Sequence, residues 1–399
     1  MRENRGKMRV GIDLSFVKAN HKNGGTEAQV KNIIKGLVKL QKACKTPEDF
    51  SFVCFIHREL FEEYRAYFPE VEFCVYDLPG GHALRTVRFQ TRVLGKLLKE
   101  NKVDLLYFPT FQTGLRRHWD VPVVVNPHDI QFKYYPEYFS AGKRAYYQLF
   151  YTNALVKADR IVAISDYAMQ TYRAHFGKIV DKKITRIYNP VDLLRFEDGW
   201  KKEKVEGVDG DFILCVNSLT KHKNLITLVK AYEILVRSLR ERGEKETGIP
   251  KLVLAGPAWN GENEISEYIR AHDLTKQVIV TGFLEEMQLA WLYNNAKVFV
   301  TTSLYEGFGM TPIEAMAAEC PVISSKDTSL YEVTMGLATY YEPTTDPKAL
   351  SQVIKAVLDK PPSPETLKRC RQAVQKYRPE RVAAQYIRLW TETYEAYYK

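Results

Sequence analysis

The sequence predicts an α/β protein made of two doubly wound parallel-sheet domains. Three observations carry that expectation. Short β-branched runs alternate with amphipathic stretches from one end to the other, a pattern that gives parallel sheets covered on both faces. The 399 residues suffice for two or three domains with buried cores. Near the middle, NPVDLLRFEDGWKKEKVEGVDGD mixes Pro, Gly and charge without a sustained apolar period, which marks a seam.

In chain order, the runs Met8–Leu14, Ser51–Ile56, Glu72–Val75, Leu105–Phe108, Val121–Asn126, Arg160–Ile164 and Ile184–Tyr188 read as strands of a first domain, residues 1–190. Phe212–Val216, Lys251–Ala255, Val278–Thr281, Val298–Thr301 and Val322–Ser324 read as strands of a second, residues 191–378. Gly25–Gln41, Leu84–Glu100, Asn224–Arg240 and Met287–Asn294 show helical spacing. After Pro379, the residues Val382, Tyr386, Leu389, Thr393 and Tyr397 fall on one helical face, so the terminal helix 379–399 is expected to pack across the domain boundary.

Composition narrows the class. With 45% apolar, 27% charged and 12% aromatic residues, wholesale disorder, collagen and coiled coil are excluded. Cys44, Cys54, Cys74, Cys215, Cys320 and Cys370 are far apart and form no C-x-x-C pair, so neither a zinc site nor a disulfide framework is indicated. The basic opening MRENRGK leads into only a short apolar run, and no stretch approaches the roughly 18 apolar residues of a membrane span. A cytoplasmic protein is expected. The 58 Lys and Arg exceed the 48 Asp and Glu by ten, which points to an anionic partner: nucleic acid, lipid headgroup or a phosphorylated small molecule.

Open parallel sheets bind ligands beyond the carboxyl ends of their strands, and two such domains facing each other make a cleft. The loops after strands are therefore the candidates. Gly24 and Gly25 precede the first helix, where backbone N–H groups can approach an anion; a plain helix start is the competing reading. In SLYEGFGMTPIEAMAAECPVISS, a helix is expected to begin near Pro312, and Thr311 and Glu314 have capping-box spacing. Glu306 has no such structural explanation: between a strand end and a glycine turn it can accept hydrogen bonds from ligand hydroxyls. Lys221, His222 and Lys223 stand before a helix, placed to neutralise a diphosphate or simply solvated. His128 follows a strand and can meet a ligand or be structural. Asp209-Gly210-Asp211 has the form of a metal-binding D-x-D but precedes a strand, so it reads as a turn.

Together these segments resemble the retaining glycosyltransferases of family 4, which have the GT-B fold of two Rossmann-like domains. The resemblance runs through KNGGTEAQVKNIIKGL, PHDIQFKYYPEYFS, ADRIVAISDYAMQTYRAHFG, KITRIYNPVD, SLTKHKNLITLVKAY and, above all, the acid-x7-acid segment EGFGMTPIEAMAAECPVISS. It implies transfer of a hexose or deoxyhexose from a nucleotide-diphosphate sugar to a glycan or lipid-linked acceptor, in cell-surface polysaccharide synthesis. It implies no metal and no cofactor beyond the nucleotide-sugar co-substrate. By similarity, Glu306, Gly307 and Phe308 contact the donor sugar; Gly309, Met310, Thr311 and Lys223 lie against the diphosphate, with Gly24 and Gly25 closing over it; Glu314 holds the ribose; and His128, with Glu306, lies at the reacting sugar. Ser218 stands where many members carry a diphosphate-gripping arginine, which shifts load to Lys223 aided by His222, while Asn217, Pro190 and Glu319 replace common glycines.

The surplus charge has a candidate location. Arg85, Arg88, Arg92, Lys96 and Lys99 recur at three- and four-residue steps, forming a stripe suited either to an anionic membrane surface or to solvent. The rival functions are a nucleotide-sugar epimerase of the same fold and a basic nucleic-acid-binding protein. The latter has only net charge in its favour, since no nucleic-acid-binding signature is present.

Overall fold

The computed structural model describes residues 8–19, 24–115, 118–257 and 262–399. The basic opening residues 1–7, and Lys22 and Asn23 of the glycine-pair motif, lie outside the described residues. The chain divides into two compact units, one running to Pro190 and joined by Tyr377–Lys399, the other Val191–Lys376.

The first unit carries seven parallel strands: β1 (Met8–Asp13), β2 (Phe50–His57), β3 (Phe73–Tyr76), β4 (Leu105–Phe108), β5 (Val123–Val125), β6 (Arg160–Ala163) and β7 (Ile184–Arg186). Their order is β3-β2-β1-β4-β5-β6-β7. The central strands β4 and β5 are apolar and buried throughout, as strands covered by helices on both faces must be. The order reverses between β1 and β4, where Val10 pairs with Leu105 and Ile12 with Tyr107. A doubly wound sheet opens its ligand crevice at the carboxyl ends of such a pair.

The second unit repeats the plan with β8 (Phe212–Val216), β9 (Lys251–Ala255), β10 (Val278–Gly282), β11 (Val298–Thr301), β12 (Val322–Ser325) and β13 (Thr339–Tyr341), ordered β10-β9-β8-β11-β12-β13. The reversal lies between β8 and β11. The short edge strand β13 escapes the sequence reading because three residues, Thr-Tyr-Tyr, give too little pattern.

Two helices differ from expectation. The stretch expected as one helix over 84–100 is His82–Arg88 and Leu94–Glu100, separated by a π-turn, Phe89–Val93. Gln90 on that turn is fully buried, and its Nε2 donates to Asp13 Oδ2 (2.7 Å), Ser15 Oγ (3.1 Å) and the Gln112 carbonyl (2.9 Å). One side chain thus ties together the loops that follow β1 and β4. The basic stripe is also thinner than its sequence suggests: Arg85 pairs with Glu59 at 2.9 Å, Lys96 with Glu100 at 3.5 Å and Lys99 with Asp120 at 3.0 Å.

The terminal helix, Pro379–Tyr398, packs on the first helix, Gly25–Lys42. The contact needs Gly36, since a Cβ there would stand 2.2 Å from the Pro379 carbonyl oxygen. Val382, Tyr386, Leu389 and Thr393 are buried as expected, whereas Tyr397, at the fraying end, is exposed. Trp390, fully buried, stacks on Phe50 with ring centroids 6.3 Å apart. All six cysteines are free thiols. Among the described residues no helix is long and apolar enough to cross a membrane.

Candidate active site

The carboxyl ends of β8 and β11 bring the predicted acid and base together. After β8 the chain makes a 3-10 turn, Lys221–Lys223, and after β11 it runs through Thr302–Gly309 into the helix Met310–Ala317. The two loops are stitched by backbone and hydroxyl bonds: Leu304 N donates to the His222 carbonyl (2.8 Å), and Thr302 Oγ1 to the Lys223 carbonyl (2.8 Å). That stitching sets Lys223 Nζ 2.5 Å from Glu306 Oε1, both side chains about 15% exposed or less. Ser303 Oγ donates to the same carboxylate oxygen at 2.9 Å.

The electrostatics follow from this geometry. Burial by itself raises the pKa of Glu306, but the Lys223 ammonium, its hydrogen bond, His222 and the Ser303 hydroxyl outweigh burial and leave the carboxyl below its usual range. Burial, reinforced by the Lys223 charge, pushes His222 down to about 4. His222 is therefore neutral at pH 7 beside the Lys223 ammonium.

The glycine turn before the helix is sterically required. Gly309 has φ +92°, and a Cβ there would lie 2.8 Å from Leu330 Cδ2. Ser329 Oγ holds the turn by contacts to the carbonyls of Glu306 (2.9 Å) and Phe308 (2.8 Å), and Thr328 Oγ1 accepts from Glu306 N at 3.2 Å. The helix starts at Met310 with Gly309 as its cap residue, two positions earlier than expected, so Gly307, Phe308, Gly309, Met310 and Thr311 form the turn and its first residues.

The capping box expected for Thr311 and Glu314 does not form. Glu314 lies a full turn inside the helix, and its Oε1 pairs with Arg195 while its Oε2 accepts from Tyr293 Oη at 2.8 Å. Arg195, from the 3-10 turn Leu194–Phe196, is itself only 11% exposed at its side chain. Burial lowers the pKa of this guanidinium, but Glu314 and neighbouring groups raise it further, so it stays charged. Sequence reading missed Arg195 because it treated 189–211 as a linker; the unmatched buried acid at Glu314 was the available signal.

In the first unit, the structure places Gly24 as the residue preceding the helix Gly25–Lys42, with φ +52°. His128 follows β5 and carries φ +68°, a left-handed conformation rare for a residue with a Cβ. Its backbone N–H donates to Asn126 Oδ1 at 3.2 Å, and Asn126 Nδ2 donates to the buried Tyr386 Oη at 3.0 Å. His128 Nε2 lies 2.8 Å from the Pro109 carbonyl oxygen, which can only accept, so Nε2 bears the proton and Nδ1 is left as an acceptor. Burial pushes this imidazole down to about 4 despite the Pro109 bond. At neutral pH His128 is a hydrogen-bond acceptor rather than a cation. Asp209 and Asp211 pair with Lys204 (2.5 Å) and Lys297 (3.2 Å), as a surface turn would.

Residues 197–377 match the family model described as glycosyl transferases group 1, and residues 23–195 match that of glycosyltransferase family 4. Among relatives, the serotype-specific mannosyltransferase WbdA of Escherichia coli is 32% identical over 195 residues, 46% of this chain and 23% of that protein. The O-antigen chain mannosyltransferase RfbU of Salmonella typhimurium is 26% identical over 244 residues, 60% of this chain and 63% of its own. The chain thus spans about a quarter of WbdA and under two thirds of RfbU. The sucrose-phosphate synthase of Thermosynechococcus elongatus shares the fold, with a TM-score of 0.73, 18% identity and coverage of 98% of this chain and 100% of that one. Between them the two family models take in all of residues 23–377 but one, and the chain belongs to the group 1, family 4 glycosyltransferases.

Proposed function

We propose that the protein is a retaining glycosyltransferase that moves a hexose or deoxyhexose from a nucleoside-diphosphate sugar to a glycan or lipid-linked acceptor in cell-surface polysaccharide synthesis, without a metal. The observation that carries this reading is the Lys223–Glu306 pair beside the Gly309 turn, at the carboxyl ends of β8 and β11 in the second unit. Mannose ranks first among the sugars, since WbdA and RfbU are named mannosyltransferases.

Glycosyl transfer passes through an oxocarbenium-like state while negative charge grows on the departing diphosphate. Lys223 and the backbone N–H groups opening the helix Met310–Ala317 are assigned to that charge, a pre-organised electrostatic role. Glu306 accepts hydrogen bonds from donor-sugar hydroxyls. Its ion pair with Lys223 holds both groups in place before the donor arrives, so the carboxylate and the ammonium exchange one partner for two adjoining parts of the ligand. Glu314, fixed by Arg195 and Tyr293, keeps lone pairs for the ribose diol. The acceptor nitrogen of His128 receives a hydroxyl hydrogen bond near the reacting sugar, and Gly24 and Gly25 offer backbone N–H groups to phosphate. A deletion of the Glu306 carboxylate, Glu306→Ala, tests the reading: transfer is lost with the fold retained, and full activity would refute it. Incubating the donor alone separates transfer from the rival chemistry, because epimerisation without acceptor would favour an epimerase.

A further inference from the structure

The candidate histidine of the first unit is tied to the far end of the chain. Beyond β5 the backbone reaches it through Asn126, which is fully buried and whose N–H continues the strand ladder to the Phe108 carbonyl at 2.8 Å. Two residues on, His128 adopts φ +68°, a conformation costly for a residue with a Cβ and kept only where the surroundings over-determine it. One such tie is the Pro109 carbonyl, 2.8 Å from the ring nitrogen Nε2. Another is the Asn126 side chain, whose Oδ1 accepts from the His128 N–H at 3.2 Å.

The Asn126 amide serves His128 in one orientation only. Turned around, its NH2 would stand against the His128 N–H, donor against donor. The atom that sets the orientation is Tyr386 Oη, which accepts from Asn126 Nδ2 at 3.0 Å and from Gln29 Nε2 at 3.2 Å. Tyr107 Oη stands 3.4 Å from the same oxygen, and the two tyrosine rings meet edge-on with centroids 5.4 Å apart. Tyr386 belongs to the terminal helix Pro379–Tyr398, 260 residues along the chain from Asn126, and is fully buried. A phenylalanine would fill the same space, so what the hydroxyl adds is the acceptor for the two amides.

We propose that Tyr386 is a positioning residue for the reaction: through the Asn126 amide it locks His128 in its left-handed conformation and so fixes how the imidazole and its backbone are presented to substrate. The proposal rests on the glycosyltransferase reading above, in which His128 meets the reacting sugar, and extends it to a side chain that acts through two others. It gives the terminal helix a part in turnover besides its packing on Gly25–Lys42. Without the hydroxyl the Asn126 NH2 is buried with no acceptor, the amide is free to turn, and the strained residue loses a tie.

Tyr386→Phe in the full chain tests it, with Gln29→Met as the control that removes a bond to the same hydroxyl and leaves the Asn126 bond in place. With the histidines 15N-labelled and the His128 resonance assigned by its loss in His128→Gln, the His128 amide should shift and exchange with solvent about tenfold faster in Tyr386→Phe, while the other histidine amides keep their wild-type rates. Turnover, followed as nucleoside diphosphate release with water as acceptor from whichever UDP, GDP, dTDP or ADP sugar the wild type hydrolyses, should fall about tenfold in kcat with the donor KM unchanged. Gln29→Met should keep both readouts at the wild-type level, although it too loses a buried bond. Asn126→Leu should lose kcat at least as strongly, and adding Tyr386→Phe to it should cost nothing more, because the hydroxyl acts through the amide. Should Asn126→Leu fail to fold, the amide and the kcat of Tyr386→Phe decide alone. An unmoved His128 amide or a wild-type kcat in folded Tyr386→Phe, an equal kcat loss in Gln29→Met, or multiplying losses in the double variant would overturn the proposal. Release of nucleotide from no donor by the wild type would strike the functional reading alone, and the His128 amide would still decide the positioning.

Discussion

Breaking the Arg195–Glu314 pair should destabilise the second unit more than any surface ion pair could. In Arg195→Met the Glu314 carboxylate, 13% exposed at its side chain, keeps only the Tyr293 hydroxyl. Removing one partner of a fully buried pair costs about 3–5 kcal/mol; the slight exposure here brings the expectation to about 2–3 kcal/mol. For a unit of this size each kcal/mol moves Tm by about 2–4 °C, so the midpoint should fall by about 5–10 °C. Arg195→Met/Glu314→Gln removes both charges and should recover most of that loss. Differential scanning calorimetry of the two singles and the double closes the cycle, with a coupling of about 2 kcal/mol expected. A single mutant within about 0.5 kcal/mol of wild type would refute the claim that Arg195 anchors Glu314.

The remaining predictions concern the turn, the pH profile and the surface. Gly309→Ala forces a Cβ against Leu330 at φ +92°, and chemical denaturation should show a loss of about 1–3 kcal/mol together with weakened nucleotide binding. His128 and His222 stay neutral in the folded chain down to about pH 4 but protonate near pH 6.5 when unfolded. The unfolded state therefore gains protons first on acidification, and stability should fall between pH 6.5 and 4 by on the order of 3 kcal/mol per histidine; Tm against pH should flatten in His222→Gln. Asp13 has the opposite sign: burial raises it to about 6 against bonds from Gln90 and Ser15, so its contribution is present below about pH 4 and lost as pH rises through 6. Asp13→Asn should remove that opposing limb. Finally, Arg88→Glu/Arg92→Glu, at exposed positions of the stripe with no shared ion pair to lose among the described contacts, should abolish any sedimentation with anionic vesicles at low salt, which tests whether the stripe touches lipid.

The alternating β-branched and amphipathic segments made the two sheets legible, because a parallel strand buried on both faces must be apolar throughout and the crossover helices must be amphipathic. Glu306, Lys223 and the Gly307–Gly309 turn were legible for a related reason: they sit immediately after strands, where a doubly wound sheet opens. What escaped depended on partners distant in sequence. The role of Glu314 turned on Arg195, 119 residues away, whereas local spacing suggested a cap. The π-turn at Gln90 arises where Asp13, Ser15 and Gln112 converge on one amide, and no local period announces it. The charge stripe looked continuous because sequence spacing does not show that Glu59, Glu100 and Asp120 neutralise three of its five members.

The central claim is that the second unit binds a nucleoside-diphosphate sugar through Lys223 and Glu306. Titration calorimetry with UDP, GDP, dTDP, ADP and their sugars measures it directly. One nucleotide series should bind, Lys223→Ala should weaken the diphosphate itself by tenfold or more, and Glu306→Ala should still bind the diphosphate while losing the added affinity of the attached sugar. Heat of binding from none of the four series, or equal affinities in wild type and Lys223→Ala, would contradict it.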